Sequence, residues 1–275
     1  MTLQTALRQG SDLLAQAGVP DPRLTAELLL AHALSRQKIY LYSHPEHQLS
    51  TVEWIHYGRY LHQRLSGTPA QYITRTQEFY GRPFLVSPAV LIPRPETEHV
   101  VEQALQVAPH ARRLLDIGTG SGALAVTLSL ELHASAVATD LSFDALQVAR
   151  RNAHALHAPV DFLRCDLASA LNTRFLLIVS NPPYIPAREI PALQREVRDH
   201  EPHLALLGGD DGTEIYHRIV PQAEKLLDPG GWLIFEIGYQ GEQGVRAALG
   251  PQWTGIQTSY DLAGWPRVIR ARYTP

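Results

Sequence analysis

Leucines recur at helical spacing through the first part of the chain. Leu3, Leu7 and the pair at 13–14 fall on one side of a predicted helix, which Gly-Val-Pro at 18–20 ends. A second helix is expected to begin at Pro22, with Asp21 as its N-cap and leucines at positions 24 and 28–30. These patterns indicate helices rather than strands.

Ser50 and Glu53 have the spacing of a capping box, which predicts a third helix running to Leu65 and closed by Gly67. Residues 1–67 are therefore predicted to form a small helical bundle without obvious chemistry. Such a bundle could brace the main domain or dock a macromolecular partner, and the pattern favours neither.

Residues 68–92 have short runs of β-forming residues, at 72–74, 78–80 and 84–86, separated by Gly81 and Pro83. We expect a β-hairpin that links the bundle to the rest of the chain. A loop bracketed by Pro93 and Pro95 then leads into a predicted helix at 100–107, whose start would favour the carboxylates at 96 and 98.

From residue 113 onward, apolar strand-like runs alternate with helical patterns. Predicted strands lie at 114–117, 136–139, 160–163, 175–179 and 232–237, with helices at 123–132, 142–155 and 213–227. A helix at 244–249 and late strands at 256–260 and 267–271 complete the pattern. Repeated βα units predict an α/β domain over 93–275 with a doubly wound, mainly parallel sheet.

A glycine-rich loop follows the first of these strands. Gly118, Gly120 and Gly122 stand between a strand and a helix, where glycine permits a tight turn and close approach of a ligand. Asp140 ends the next strand about 20 residues on, where a carboxylate can accept hydrogen bonds from ribose hydroxyls. This pattern indicates a nucleotide-type site.

The stretch Ser-Asn-Pro-Pro-Tyr at 180–184 follows the most apolar strand. Asn181 offers one amide acceptor and two donors, and the carbonyls of Pro182 and Pro183 remain free to accept from a ligand. Tyr184 has a flat apolar face with a polar tip. Such a loop suits a planar group that carries an NH₂, although Asn and Pro are also ordinary turn residues.

Composition narrows the class of protein. The chain has 275 residues, is 45% hydrophobic and has a net charge of −3, as expected of a soluble globular protein without a basic excess for nucleic acid. One cysteine, Cys165, excludes an internal disulfide and fits a cytoplasmic location. No apolar run of membrane-spanning length is present. The histidine pairs lack metal-site spacing, so no metal is expected.

The glycine loop by itself does not distinguish S-adenosylmethionine from NAD as the cofactor, since Gly118-x-Gly120-x-x-Ala123 also fits the NAD-binding fingerprint. Asp116 places an anion beside the loop, which suits the zwitterionic end of S-adenosylmethionine better than a pyrophosphate. A hydride-transferring enzyme would also want a proton donor or acceptor where this chain has the amide of Asn181.

Several motifs together resemble one family. Asp-Ile-Gly-Thr-Gly-Ser-Gly at 116–122, Asp140 and Asn-Pro-Pro-Tyr at 181–184 are similar to class I S-adenosylmethionine-dependent methyltransferases that act on a planar nitrogen. Ile-Pro-Arg-Pro-Glu-Thr-Glu at 92–98, Glu-Pro at 201–202 and Glu-Ile-Gly at 236–238 narrow the resemblance to the release-factor glutamine methyltransferases, the HemK/PrmC family. The match extends from about 69 to 267.

The resemblance implies a seven-stranded sheet, a substrate-docking role for the bundle at 1–67, and transfer of a methyl group to a glutamine side-chain amide. That glutamine lies in the Gly-Gly-Gln motif of class 1 peptide-chain release factors. The resemblance further implies that the enzyme is monomeric and has no nucleic acid or membrane partner. The resemblance implies that S-adenosylmethionine is bound by Gly118, Thr119, Gly120, Ser121, Gly122, Asp140, Asp166, Leu167 and Asn181.

For the substrate amide, we expect Asn181 and the Pro182 carbonyl to accept its two hydrogens and Tyr184 to stack on it, with Pro183 completing the loop. The Arg94 loop is expected to border the methionine end of the cofactor, and Glu201 and Glu236 to be structural. Alternatives are a nucleic-acid base methyltransferase, an NAD oxidoreductase and a non-catalytic cofactor-binding module.

Three positions depart from the family pattern. Leu176 stands where many members have Asp, Tyr239 where His is frequent, and Arg75 where Gly is usual. None removes a group with an expected role at the site.

Overall fold

The computed structural model describes all 275 residues, which fall into two compact units. The first comprises Met1–Thr76 together with Gln194–His200, and the second Gln77–Leu193 together with Glu201–Pro275. The helices are α1 Leu3–Gln16, α2 Pro22–Leu34, α3 Lys38–Ser43, α4 Thr51–Leu65, α5 Ala70–Thr74, α6 Glu98–Val107, α7 Ala123–Glu131, α8 Phe143–Ala155, α9 Arg195–His200, α10 Glu214–Leu226 and α11 Glu242–Ala248.

The strands are β1 Thr76–Phe79, β2 Arg82–Leu85, β3 Arg113–Ile117, β4 Ser135–Asp140, β5 Val160–Arg164, β6 Phe175–Ser180, β7 Leu227–Glu236, β8 Trp253–Tyr260 and β9 Pro266–Tyr273. Short 3-10 segments lie at Pro95–Thr97, Ala187–Ala192 and His203–Ala205. None of the helices is both long and apolar enough to cross a membrane.

The first unit is a helical bundle around a leucine-rich core. Leu3, Leu14, Leu29 and Leu30 are fully buried together with Tyr57 of α4. The predicted capping box is confirmed, because the Ser50 backbone N–H donates to Glu53 Oε2 at 2.8 Å and the Glu53 N–H donates to Ser50 Oγ at 3.3 Å. Within this unit α9 is fixed by an ion pair of 2.8 Å between Arg64 and Glu196.

Several details of this unit were predicted wrongly or missed, among them helix α9. Residues 72–74 form the end of helix α5 rather than a strand, because Tyr72 and Ile73 are buried in the bundle and packing outweighs their β propensity. Asp21 precedes α2 with φ 45°, so its side chain makes no capping bond. The six-residue helix α3 has no side-chain cap and was not predicted.

The second unit is built on a seven-stranded sheet with strand order β5-β4-β3-β6-β7-β9-β8. Strands β3 to β7 run parallel to one another, and β9 is antiparallel to both β7 and β8. Two separate apolar cores, one containing residues of α6 and α7 and the other residues of α10 and α11, pack with the sheet strands. The doubly wound, mainly parallel sheet is confirmed, as is the β1–β2 hairpin.

The register of the sheet aligns the ends of four strands. Ile117 pairs with both Thr139 and Ser180, and Ser180 pairs with Phe235. The next residue along each strand is therefore Gly118, Asp140, Asn181 or Glu236. Since the strand order reverses between β3 and β6, this row lies at the switch point where open α/β sheets bind their ligands.

Candidate active site

The glycine loop after β3 is fixed by backbone hydrogen bonds. The N–H groups of Gly118 and Thr119 both donate to the Thr139 carbonyl at 2.9 Å. Gly122 has φ 85° at the start of α7, and a Cβ there would lie 3.2 Å from the Cβ of Ala149 in α8. Gly122 therefore permits close packing of α7 on α8.

Asp116, near the end of β3, holds the same loop through hydrogen bonds. Its Oδ2 accepts the Thr119 hydroxyl at 2.6 Å and the Ala125 N–H at 3.2 Å, while its buried Oδ1 has no hydrogen-bond partner. Burial raises the pKa of Asp116 to about 7, with these two hydrogen bonds opposing the shift. Asp116 is thus only partly ionised at neutral pH, and its charge beside the loop is weaker than the sequence alone suggests.

Asp140 joins the ends of β3 and β4. Its Oδ2 accepts the Gly120 N–H at 2.9 Å and its Oδ1 accepts the Ser142 N–H at 2.8 Å, so the carboxylate is held in one orientation. Burial raises its pKa, and the backbone hydrogen bonds oppose that shift. Each carboxylate oxygen retains capacity for a further donor, as binding of a ribose diol requires.

Asn152 of α8 connects the glycine loop to the hairpin. Its side chain pairs with both backbone groups of Leu85, accepting at 2.7 Å and donating at 3.0 Å, and also donates to the Ser121 carbonyl at 2.8 Å. The residue is buried, so all three bonds are shielded from water. The sequence did not single out Asn152, because its partners lie far away along the chain.

The Asn-Pro-Pro-Tyr loop is supported at both ends. Before it, the Ser180 hydroxyl donates to the Ile117 carbonyl at 2.7 Å. After it, Ile185 forms a parallel bridge with Leu207, and the N–H of Gly208 donates to the Ile185 carbonyl at 2.9 Å. A Cβ on Gly208 would stand 2.7 Å from Tyr184 Cα, so only glycine fits at this crossing.

Two side chains of the loop are held from behind. Asn181 donates through Nδ2 to the Thr97 hydroxyl at 3.1 Å, and the Tyr184 hydroxyl donates to Glu236 Oε1 at 3.3 Å. Burial, then the neighbouring carboxyl of Glu236, raises the pKa of Tyr184. Tyr184 is therefore a neutral donor at physiological pH.

Glu236 is buried at the end of β7, with 2% of its surface exposed. Burial raises its pKa to about 7, while interactions with the Thr97 and Tyr184 hydroxyls lower it. Its Oε2 has no well-formed hydrogen bond. The sequence predicted a structural rather than catalytic role for Glu236 and did not foresee its position beside Thr97.

The proline-bracketed loop is anchored by Glu201. This buried carboxylate accepts the Ile92 N–H at 3.1 Å and pairs with the guanidinium of Arg94. Glu201, from a distant part of the chain, thus holds Arg94 in an ion pair, while Leu91, Pro93 and Thr97 line the adjoining cavity.

A cavity of about 440 Å³ lies at the carboxyl ends of β3, β4 and β6. This volume is in the range of small-molecule sites. The residues assigned to the cofactor that line it are Gly118, Thr119, Gly120, Ser121, Asp140, Asp166, Leu167 and Asn181. Gly122 does not line it. Of the remaining loop residues, Pro183 lines the cavity, whereas Pro182 and Tyr184 do not.

The far side of the cavity is formed by Asp166 and Leu167. Asp166 makes an exposed ion pair of 2.5 Å with Arg218 of α10, and Leu167 has φ 54°, which turns the chain after β5. Arg218, Leu204 and Leu207 also line the cavity and were not predicted, since nothing in their local sequence marks them. No group of three or more His, Cys, Asp or Glu side chains is arranged to hold a metal ion.

Comparison with known proteins decides the family. Residues 5–74 match the PrmC N-terminal domain, and residues 97–209 match the methyltransferase small domain. The chain is 47% identical to the release factor glutamine methyltransferase of Koribacter versatilis (strain Ellin345), over 99% of each chain. The chain belongs to the release factor glutamine methyltransferase family. It is an S-adenosylmethionine-dependent methyltransferase.

Other relatives of this methyltransferase agree. The release factor glutamine methyltransferase of Geobacter sulfurreducens is 45% identical, over 98% of this chain and 96% of the relative. Among solved structures, a methyltransferase from Pyrococcus furiosus has a TM-score of 0.55 at 16% identity, covering 79% of this chain and all of that one. The latter shows the shared fold.

The residues of the site fit S-adenosylmethionine. The cavity combines apolar walls with the backbone of the glycine loop and one oriented carboxylate, Asp140, which are the groups that a nucleoside with a zwitterionic tail requires. The family departures leave this arrangement intact. Arg75 has φ 61°, a backbone conformation that glycine adopts more easily than arginine, and Tyr239 packs on Trp265.

Proposed function

We propose that this methyltransferase modifies the side-chain amide nitrogen, N5, of the glutamine in the Gly-Gly-Gln motif of class 1 peptide-chain release factors. The observation that carries the proposal is the orientation of Asn181. Its Nδ2 is engaged by Thr97 at 3.1 Å, so its Oδ1 remains free to accept a hydrogen bond from a primary amide at the cavity wall.

An amide nitrogen is a weak nucleophile, because its lone pair is delocalised into the carbonyl. Asn181 Oδ1 and the Pro182 carbonyl accept the two N–H groups of the substrate amide, which orients the nitrogen and stabilises the positive charge that grows on it. Bound S-adenosylmethionine supplies an electrophilic methyl group. As the nitrogen–carbon bond forms, the methyl carbon–sulfur bond would break and release S-adenosylhomocysteine. The nitrogen would then lose its proton to water, so no strong base is needed.

The remaining groups serve binding. We assign the backbone of residues 118–121 and the carboxylate of Asp140 to the cofactor, with Asp166 and Leu167 at its adenine. Pro183 lines the cavity and closes the apolar side of the substrate amide. Stacking of the amide on Tyr184 requires the amide to extend past the cavity wall, since Tyr184 does not line the cavity. Names of the relatives support release factors as the substrate class, and a cytoplasmic, monomeric enzyme is part of the same proposal.

The direct test is incubation with methyl-labelled S-adenosylmethionine and a purified class 1 release factor, followed by mass-spectrometric mapping. We expect label on the Gly-Gly-Gln glutamine only, and none on a release factor whose motif glutamine is alanine. Label on another residue, or on added RNA or DNA instead of the protein, would contradict the proposal.

Asn181→Ala tests the assigned role. Loss of one aligned acceptor is expected to lower kcat by about 100-fold with little change in cofactor affinity. Asn172→Ala, on the exposed loop before β6, is the matched control and should keep full activity. Turnover of Asn181→Ala within about threefold of the wild type, a loss under roughly 1 kcal/mol, would remove Asn181 from the mechanism.

A further inference from the structure

Thr97 lies between a residue proposed to contact the substrate and a buried carboxyl group. It is 4% exposed, ends the 3-10 segment Pro95–Thr97, and is fixed by its N–H bond to the Arg94 carbonyl at 3.1 Å. Its hydroxyl accepts from Asn181 Nδ2 at 3.1 Å. The hydroxyl also lies close enough to Glu236 to lower the pKa of that carboxyl group, although Glu236 Oε2 has no well-formed hydrogen bond. The two partners follow different strands, β6 and β7, so only the fold brings them together.

The single proton of the Thr97 hydroxyl decides which way the Asn181 amide faces. A carboxylate can only accept, so an ionised Glu236 draws the hydroxyl proton towards itself. The hydroxyl oxygen is then available to Asn181 only as an acceptor, and the amide must present its NH₂. Its Oδ1 consequently faces the other way, towards the cavity.

We propose that Thr97 and Glu236 are positioning residues that hold the Asn181 amide with its oxygen towards the substrate. This inference rests on the proposed function and adds to it the groups that set the polarity of the acceptor. Tyr184 takes part as well, because its hydroxyl donates to Glu236 Oε1, and Oε2 has no other hydrogen-bond partner that would compete with Thr97.

The opposite proton arrangement would disable the site. If Glu236 is protonated, its own O–H can donate to Thr97, and the threonine hydroxyl is then free to donate to Asn181 Oδ1. The amide turns over and presents its NH₂ to the N–H groups of the substrate, where two donors face each other. The charged and titratable groups around Glu236 are Glu96, Arg267, Tyr184 and Tyr216. Arg267 and the Tyr184 hydroxyl favour its ionised form, whereas Glu96 opposes it.

Thr97→Val tests the proposal, because valine has the shape of threonine without the hydroxyl. We expect kcat to fall by about 10- to 100-fold, with the affinity for S-adenosylmethionine and the KM for the release factor within about threefold of the wild type. Thr97→Ser restores the hydroxyl and should recover most of kcat. A fall in kcat that serine does not rescue would indicate a packing role and overturn the proposal.

Thr127→Val is the matched control. Thr127 is a fully buried threonine of α7 whose hydroxyl has no hydrogen-bond partner, so its loss should leave kcat unchanged. If Thr97→Val retains kcat within about threefold while the wild type methylates the motif glutamine, the proposal is wrong although the proposed function stands. If the wild type places no methyl group on that glutamine, the proposed function itself fails.

The pH profile separates positioning from simple packing. With the Glu236 pKa at about 7, wild-type kcat should fall as the pH is lowered from 8 to 6. Glu236→Gln, whose amide can both donate and accept, should lower kcat and flatten that profile. This variant also decides the matter if Thr97→Val does not fold, since an unchanged kcat and profile in Glu236→Gln would overturn the proposal.

Discussion

Single residues in this protein carry charge states that their type alone does not reveal. Asp116 and Glu236 are both buried, and burial raises the pKa of each to about 7. Asp140 is held by two backbone N–H groups, which oppose the effect of its burial. The protonation of these three carboxyl groups is therefore set by burial together with the hydrogen-bond donors that each one has.

Asp116→Asn should change how stability depends on pH. Because the folded-state pKa of Asp116 lies above its ordinary value of 3.8, this group stabilises the fold below that value and loses its contribution as the pH rises to about 7. Denaturant unfolding at pH 5 and pH 8 should therefore show a smaller difference in the variant, by on the order of 3 kcal/mol.

Asp161→Asn provides the control for this measurement, since Asp161 is an exposed residue of β5 and its replacement should leave the wild-type pH dependence in place. An equal difference between pH 5 and pH 8 in the wild type and in Asp116→Asn would show that Asp116 is ionised throughout that range.

At the scale of elements, the apolar runs were sufficient to predict the parallel sheet. Strand β6 coincides with the run at 175–179 because it is buried on both faces, and the two prolines after it end the strand. The capping box likewise marked the start of α4. The local sequence pattern predicts secondary structure correctly where the conformation of a residue depends mainly on its neighbours in the sequence.

Prediction failed where distant contacts decide. Helix α5 carries Tyr72 and Ile73, whose burial in the bundle outweighs their β propensity. At the site, the glycine loop, Asp140 and Asn181 were visible as motifs with a predicted role. Thr97 lay within the motif at 92–98 but had no assigned role, and the contacts of Thr97, Asn152 and Arg218 arise only from the folded chain. No spacing rule connects such residues.

Arg75→Gly should stabilise the first unit. Arg75 ends α5 with φ 61°, where a side chain is strained and glycine is not. We expect the free energy of unfolding to rise by up to about 1 kcal/mol, the strain relief being offset in part by the greater freedom of glycine in the unfolded chain. Thermal unfolding followed by circular dichroism measures the change.

Arg75→Ala keeps the strained backbone and removes only the side chain, so it should not be stabilised. If alanine and glycine had the same effect, the gain would come from loss of the arginine side chain rather than from the backbone.

For the whole molecule, the cofactor is expected to act as a stabilising ligand. The cavity is lined entirely by residues of the second unit, between positions 89 and 218. S-adenosylmethionine at 100 times its Kd should raise the free energy of unfolding by about 2.7 kcal/mol. A corresponding rise in Tm of roughly 5–10 °C is expected in a thermal shift assay.

NAD at the same concentration serves as the comparison ligand and should produce no shift. Asp140→Asn should weaken the response to S-adenosylmethionine, because an amide NH₂ replaces one of the two acceptors at the loop. A shift with NAD equal to that with S-adenosylmethionine would mean that the glycine loop does not select its cofactor in the expected way.

The crossing at Gly208 has a consequence for interpreting variants. Main-chain atoms of Pro183 and Tyr184 lie where any side chain at 208 would have to be, at 2.8 and 2.7 Å. Even one added methyl group would displace the Asn-Pro-Pro-Tyr loop, although every polar side chain of the site would be unchanged. Loss of activity in such a variant would result from displacement of the loop. It could be mistaken for evidence that Gly208 takes part in the reaction.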